Sequence, residues 1–189
     1  MITKERLKEF IATAYKTACD HGFHDKEKSN AHWMMLVVSE VGEMMEADRK
    51  GLKADVSEFD CRMIDGFSYM SAFETTIKNS LADECADVCI RLFDFLGMKG
   101  IQPDTFEEKK DDWQNMFASL SVCEQCYELV QGITLIGNDS TPNEIAEITG
   151  AMILFCFDFA KEHGFDLEWH IVHKMKYNER RAKLHGKSY

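Results

Sequence analysis

Only two prolines, Pro103 and Pro142, interrupt 189 residues. Proline ends a helix by removing a donor and clashing with the preceding turn, so a chain this poor in it can run in long helices. The apolar positions agree. Leu7, Phe10, Ile11, Ala14, Tyr15 and Ala18 recur at the spacing of an amphipathic helix. That helix is predicted over 3–20, with a stop at His21-Gly22, where glycine can take the left-handed position after the last turn. A second helix is predicted over 30–50. Residues 51–70 show no clear period and read as a loop. Ser71 with Glu74 fits a capping box, which predicts a third helix over 72–96. A fourth is predicted over 105–131, with a break near Ser119–Ser121. Thr141, Pro142 and Glu144 combine an N-cap, a proline at the first helical position and a box acid. They start a fifth helix that ends at His163-Gly164, and Asp166 caps a sixth to about 183. No stretch alternates as a strand does. The expectation is one all-α domain over 1–189, a bundle of about six helices around a four-helix core.

Charge and composition narrow the function. The composition is 45% hydrophobic and 29% charged, which suits a soluble globular chain. The formal net charge of −11 argues against a nucleic acid polymer as partner, since that demands a basic footprint. No apolar run approaches the roughly 20 residues that cross a membrane. The opening "MITKERLKEF" carries charges where a signal peptide needs an apolar segment, so the chain reads as cytoplasmic. The seven cysteines are an odd number at apolar positions, which reads as core thiols. Cys123 and Cys126 form a lone C-x-x-C without the second pair that zinc would want. One basic stretch stands out against the acidic whole: Lys174, Lys176, Arg180, Arg181, Lys183 and Lys187, with Glu179 the one acid among them.

The chemistry-bearing residues are acids. Residues three apart share a helix face, so Glu40 and Glu43 point one way from the second helix, and Glu84 and Asp87 do so from the third. Leu36, Met44 and Ala47 flank the first pair; Leu81, Val88 and Phe95 flank the second. Both pairs therefore lie on or beside faces that a bundle buries. Four carboxylates brought together repel one another strongly, unless some are protonated or a cation sits among them. Oxygen donors suit a hard cation, Mg²⁺ above all, with Mn²⁺ or Ca²⁺ as alternatives. A di-iron bundle calls for Glu-x-x-His, and none of the seven histidines has a glutamate three residues before it. The bland reading, a solvated acidic face, stands beside the metal reading. His170 and His173, three apart, could bind a metal, but a solvated face is the expectation for them.

An internal echo accompanies the acids. Residues 81–100, "LADECADVCIRLFDFLGMKG", align without gaps on 145–164, "IAEITGAMILFCFDFAKEHG". The second copy shares the apolar frame and has Ile148 and Ala151 where the first has Glu84 and Asp87.

Glu40-Val-Gly-Glu43 followed by Glu84-Cys-Ala-Asp87 resembles the paired ExxE and ExxD signature of MazG-like nucleotide pyrophosphohydrolases. These belong to the all-α NTP pyrophosphatase superfamily, with dimeric dUTPases and phosphoribosyl-ATP pyrophosphohydrolase. The tail "HKMKYNERRAKLHGKSY" is similar to that family's terminal segment, here Lys174, Asn178 and Arg181. The resemblance covers about 25–97 and 165–189. It implies Mg²⁺-dependent hydrolysis of an NTP or dNTP to the monophosphate and pyrophosphate. Glu40, Glu43, Glu84 and Asp87 would be the metal ligands, and Glu40 or Glu43 would position the attacking water. Glu46 would assist as an outer ligand or only approach the metal. Lys174, Asn178 and Arg181 would contact phosphate or sugar, with His185 and Lys187 as weaker candidates. The bland reading of that tail is a basic helix end favoured by the helix dipole. Trp33 would stack on a base, although a tryptophan at a helix start more often packs in the core. The 51–70 loop would be a lid or an insertion. Residues 98–164 would be an inserted or duplicated helix pair without the acids, filling within one chain the place that a second chain takes in simpler members. That leaves a homodimer open. The rival readings are a catalytically idle nucleotide- or metal-binding helical protein and a purely structural bundle.

Overall fold

The computed structural model describes residues 2–101, 117 and 119–186. Among them are eight α-helices and no strand: α1 (Lys4–Asp20), α2 (Asn30–Arg49), α3 (Val56–Ile64), α4 (Tyr69–Thr76), α5 (Leu81–Lys99), α6 (Val122–Thr134), α7 (Pro142–Glu162) and α8 (Leu167–Asn178). A 3₁₀ turn, Lys183–Gly186, follows α8. The chain is all-α, as its periodicity predicts. No helix among the described residues is long and apolar enough to cross a membrane.

Four helices close a ring. α2 packs on α5, α5 on α7, α7 on α6, and α6 on α2, while α1 and α8 lie against the outer side of α5. With neighbours on four sides, α5 cannot present a single apolar stripe. It is buried all round, with Val88, Cys89, Leu92, Phe93 and Leu96 at 0% exposure. The echoed segments 81–100 and 145–164 fall on α5 and α7, which are neighbours in the ring; the Cys85 thiol sits 3.9 Å from the Cys156 carbonyl.

Four element boundaries differ from the sequence expectation. Residues 51–70 are not a loop, for α3 lies within them. Asp55 caps α3 by accepting from the Glu58 N–H at 2.9 Å, and Glu58 pairs with Arg62 one turn on at 2.8 Å. In nine residues only Phe59 is buried, too narrow a stripe to read as a period. The expected single helix over 72–96 is two. Ser68, not Ser71, caps α4, and Glu74 reaches the Tyr177 hydroxyl at 2.8 Å instead of its own cap. The chain breaks at Asn79, which sits in the left-handed region at φ 63°, and Ser80 caps α5 anew by accepting from the Asp83 N–H. The break anticipated near Ser119–Ser121 is a helix start, with Ser121 and Glu124 in a reciprocal capping box before α6. The first part of the helix expected over 105–131 lies outside the described residues. The sixth expected helix, α8, ends at Asn178 rather than near 183.

α3 and α4 form a satellite around Phe59, Tyr69, Phe73 and Ile77, joined to the body by Tyr177 of α8, whose ring stacks on Phe73 at 4.6 Å. On the opposite side α1 approaches α5 at Gly97, where an added Cβ would lie 2.5 Å from the Tyr15 Cβ and 3.2 Å from the Ile11 carbonyl. Neither atom can swing away, because both belong to or adjoin the α1 backbone. Gly97→Ala is therefore expected to destabilise by about 1–3 kcal/mol, despite alanine's better helix propensity. Thermal melting of the variant checks this; an unchanged or raised melting temperature would show that the two helices do not touch there.

Candidate metal centre

Glu40 leaves α2 and Glu84 and Asp87 leave α5 at the seam where these two helices pack. One carboxylate oxygen from each lies within 4.8 Å of the others. Glu40 is 4% and Glu84 3% exposed. Around them opens a cavity of about 300 Å³, walled by α1, α2, α5, α8 and the Lys78–Asn79 turn. Three carboxylates at this separation in a buried site carry a strong mutual repulsion.

Two cations answer part of it. Lys174, on α8, is 3% exposed and bridges Asp83 at 2.6 Å and Asp87 at 2.8 Å. Burial alone would pull its ammonium down, but Asp87, Asp83 and Glu84 together hold it above the ordinary lysine range, so it stays charged. Arg91 donates from Nε to the Glu40 carboxylate at 3.0 Å, and its guanidinium lies over the Phe23 ring. Glu84 has no such partner: its Oε2 is buried without a hydrogen bond. Burial pushes the Glu84 carboxyl up to about 8, so at neutral pH it is largely protonated. Burial, with Asp87 close by, also raises Glu40, and burial lifts Asp83 to about 6 despite Lys174.

The donor set fits a hard cation. Every candidate ligand is a carboxylate oxygen, and Glu84 Oε2 is an orphaned buried acceptor at the centre of the group. Softer metals, which look for thiolate or imidazole, find neither in this cluster.

The residues singled out by sequence fall into three groups. Glu40, Glu84 and Asp87 come together. Glu43 lines the same cavity but is exposed at its rim, outside the three-oxygen cluster. Lys174, Asn178 and Arg181 all line the cavity; Asn178 is 7% exposed with its Oδ1 buried and unpartnered, and the Arg181 guanidinium lies over Tyr177. Lys174 does not reach out of a basic tail, as the sequence suggests, but is clamped between acids. The described part of the tail is also pinned: the Leu184 N–H donates to the His21 carbonyl at 2.9 Å and Lys183 pairs with Asp25 at 2.8 Å. The backbone of His185 belongs to the terminal 3₁₀ turn, and Lys187 lies outside the described residues. Trp33 is placed away from the cavity. It is 4% exposed and stacks on His24 at 4.7 Å. Glu46 turns to Arg49 and Lys50 at the basic end of α2 and takes no part. His170 is not on a solvated face: it is 3% exposed, packed against Phe165 and Trp169, and burial lowers it to about 4. His173 is half-buried on Trp169.

Asp83, Arg91 and Asp94 are site residues that sequence reasoning missed. A signal for each was present. Asp83 is the third residue after the Ser80 cap, and Arg91 and Asp94 continue the face of Glu84 and Asp87 at steps of four and three.

Compared with models of protein families, with the sequences of characterised proteins and with solved structures, the chain matches none.

The Glu84 shift has a signed consequence. A carboxyl whose folded pKa is raised to about 8, from an ordinary value of 4.5, binds more protons in the native state. Stability of the metal-free protein therefore falls as pH rises between those values, by up to about 5 kcal/mol for this group alone. Melting in EDTA at steps from pH 5 to 9 should show this fall, and Glu84→Gln should flatten it. Equal slopes in the two proteins would contradict the buried, protonated Glu84.

Proposed function

We propose that this chain is a metal-dependent nucleoside triphosphate pyrophosphohydrolase of the MazG-like kind, releasing the monophosphate and pyrophosphate. The observation that carries the reading is the convergence of Glu40, Glu84 and Asp87 in one cavity with Lys174, Asn178 and Arg181. Cleavage of a phosphoanhydride needs charge neutralisation on the phosphates and a placed water, and little covalent chemistry from the protein. Glu40, Glu84 and Asp87 would hold Mg²⁺, or Mn²⁺ in its place. A bound ion supplies charge stabilisation and a more acidic water.

The remaining roles follow from what each side chain already does. Arg91 fixes Glu40 through one oxygen and so aims the other. With Glu40 thus engaged, Glu43, exposed at the rim, is the better placed of the two helix-α2 acids to orient the water and take its proton. Lys174, donating to Asp83 and Asp87, has a third proton for a phosphate oxygen. The Asn178 Oδ1 is an unpartnered acceptor suited to a sugar hydroxyl. The α6–α7 pair, whose echoed helix lacks the acids, serves in this reading as the degenerate half of the four-helix ring.

A panel of NTPs and dNTPs with Mg²⁺, read by pyrophosphate release, tests the proposal. Turnover is expected for at least one nucleotide, with a loss of at least about 100-fold in kcat for Glu84→Gln, which keeps the shape and removes the ligand charge. Mg²⁺ is expected to raise the melting temperature of the wild type and not of that variant. If no nucleotide is cleaved but Mg²⁺ still stabilises, an idle nucleotide- or metal-binding protein takes the place of the enzyme. If neither occurs, side chains such as Lys174 and Arg91 supply the acids' counter-charge, and the cluster is structural.

A further inference from the structure

Two helical turns beyond Asp87 on the same face of α5, Asp94 forms the far end of the cavity. It is 3% exposed. The His24 Nε2–H donates to its Oδ1 at 2.7 Å, and its second oxygen has no hydrogen-bond donor among the described residues. That oxygen is not sealed in the core: Asp94 lines the cavity, so the oxygen can accept from a donor that enters it. Burial raises the Asp94 pKa, and the His24 bond counteracts it.

Ala14 and Ala18, one turn apart on α1, line the same cavity with Phe23 and Ile90, and the Arg91 guanidinium lies over the Phe23 ring. Seven residues of helix, roughly 10 Å, separate Asp94 from Asp87, a span that a ribose and a base fill when the phosphates lie at the acid cluster. His24 itself is clamped. It stacks on Trp33 at 4.7 Å and meets the Tyr15 ring edge-on at 5.1 Å. Asp94 is therefore held in one orientation by a histidine that two aromatic rings hold in turn.

From this geometry we infer that Asp94 reads the nucleobase and that the preferred base is guanine. The inference rests on the reading of the cavity as a nucleotide site. A carboxylate only accepts, so its best partner offers two adjacent N–H donors. On its pairing edge guanine presents N1–H beside the 2-amino group. Adenine and cytosine each place an amino donor beside a ring-nitrogen acceptor, and uracil and thymine flank one N–H with two carbonyls. Each of these sets an acceptor lone pair against the carboxylate. His24 is a positioning residue, and Trp33 acts through it without touching the base.

The test is equilibrium binding of GMP, IMP, AMP, CMP and UMP to the full chain in Mg²⁺ buffer, with no turnover involved. GMP is expected to bind tightest. IMP, which lacks only the 2-amino group, should bind about 10-fold more weakly, because one of two charge-assisted bonds is lost. Asp94→Asn keeps an acceptor for His24 and turns the free oxygen into an amide; it should cost GMP on the order of 10- to 100-fold and invert its advantage over AMP. IMP equal to GMP in the wild type would overturn the inference, and that comparison needs no variant to fold. So would GMP and AMP affinities left unchanged by Asp94→Asn. The two proposals separate cleanly. Hydrolysis of NTPs without a guanine preference removes the base assignment and leaves the enzyme; a guanine preference without hydrolysis does the reverse.

Discussion

The buried ammonium of Lys174 is the interaction on which the site depends. It lies between Asp83 and Asp87, 3% exposed, and ties α8 to α5 at the point where the acids gather. A charge this deep persists only because its partners are as deep, and removing either side leaves the other uncompensated. The consequences are geometric. With Lys174 fixed, Asn178 one turn later faces the same cavity, and Arg181 closes the next step. Asp83 also accepts from the Asn79 N–H at 3.0 Å, so one carboxylate joins the α4–α5 turn, the start of α5 and the docking of α8.

α5 organises everything else because it has neighbours on every side. A helix in that place must be apolar all round, and most of its polar residues need a stated partner. Asp83 has Lys174, Asp87 has Lys174, Arg91 has Glu40, and Asp94 has His24. Glu84 is the exception, with no ion-pair partner among the described residues and an Oε2 that, like the Oδ1 of Asp83, is buried and unsatisfied. Satisfied polar groups on a central helix fix its packing; an unsatisfied one that lines a cavity, as Glu84 does, marks where a ligand belongs. In the site proposed here the line Glu84, Asp87, Arg91, Asp94 runs from metal to base along one helix face.

Much of this was legible in sequence, and the misses have physical causes. The two acid pairs were readable because i, i+3 spacing beside an apolar stripe places them at a helix seam whatever the tertiary detail. The helices α1, α2 and α7 were readable from long stripes and strong caps. α3 was not, because a nine-residue helix burying only Phe59 leaves no period to see. Lys174 was recognised as a site residue but assigned to an open basic tail, since the sequence cannot show that its partners are Asp83 and Asp87. Trp33 was singled out for a flat ring that meets a base, whereas its ring meets His24. His170 was expected on a solvated face, yet Phe165 and Trp169 pack against it.

Whether the three carboxylates hold a cation is the question under all of these. Crystals soaked in Mn²⁺ and measured at the manganese absorption edge answer it most directly. Expected is an anomalous peak bounded by Glu40, Glu84 and Asp87, at metal–oxygen distances of about 2.0–2.3 Å. An absence of any peak there, with Glu84 unligated and Lys174 still the nearest cation, would contradict the metal centre and the function built on it.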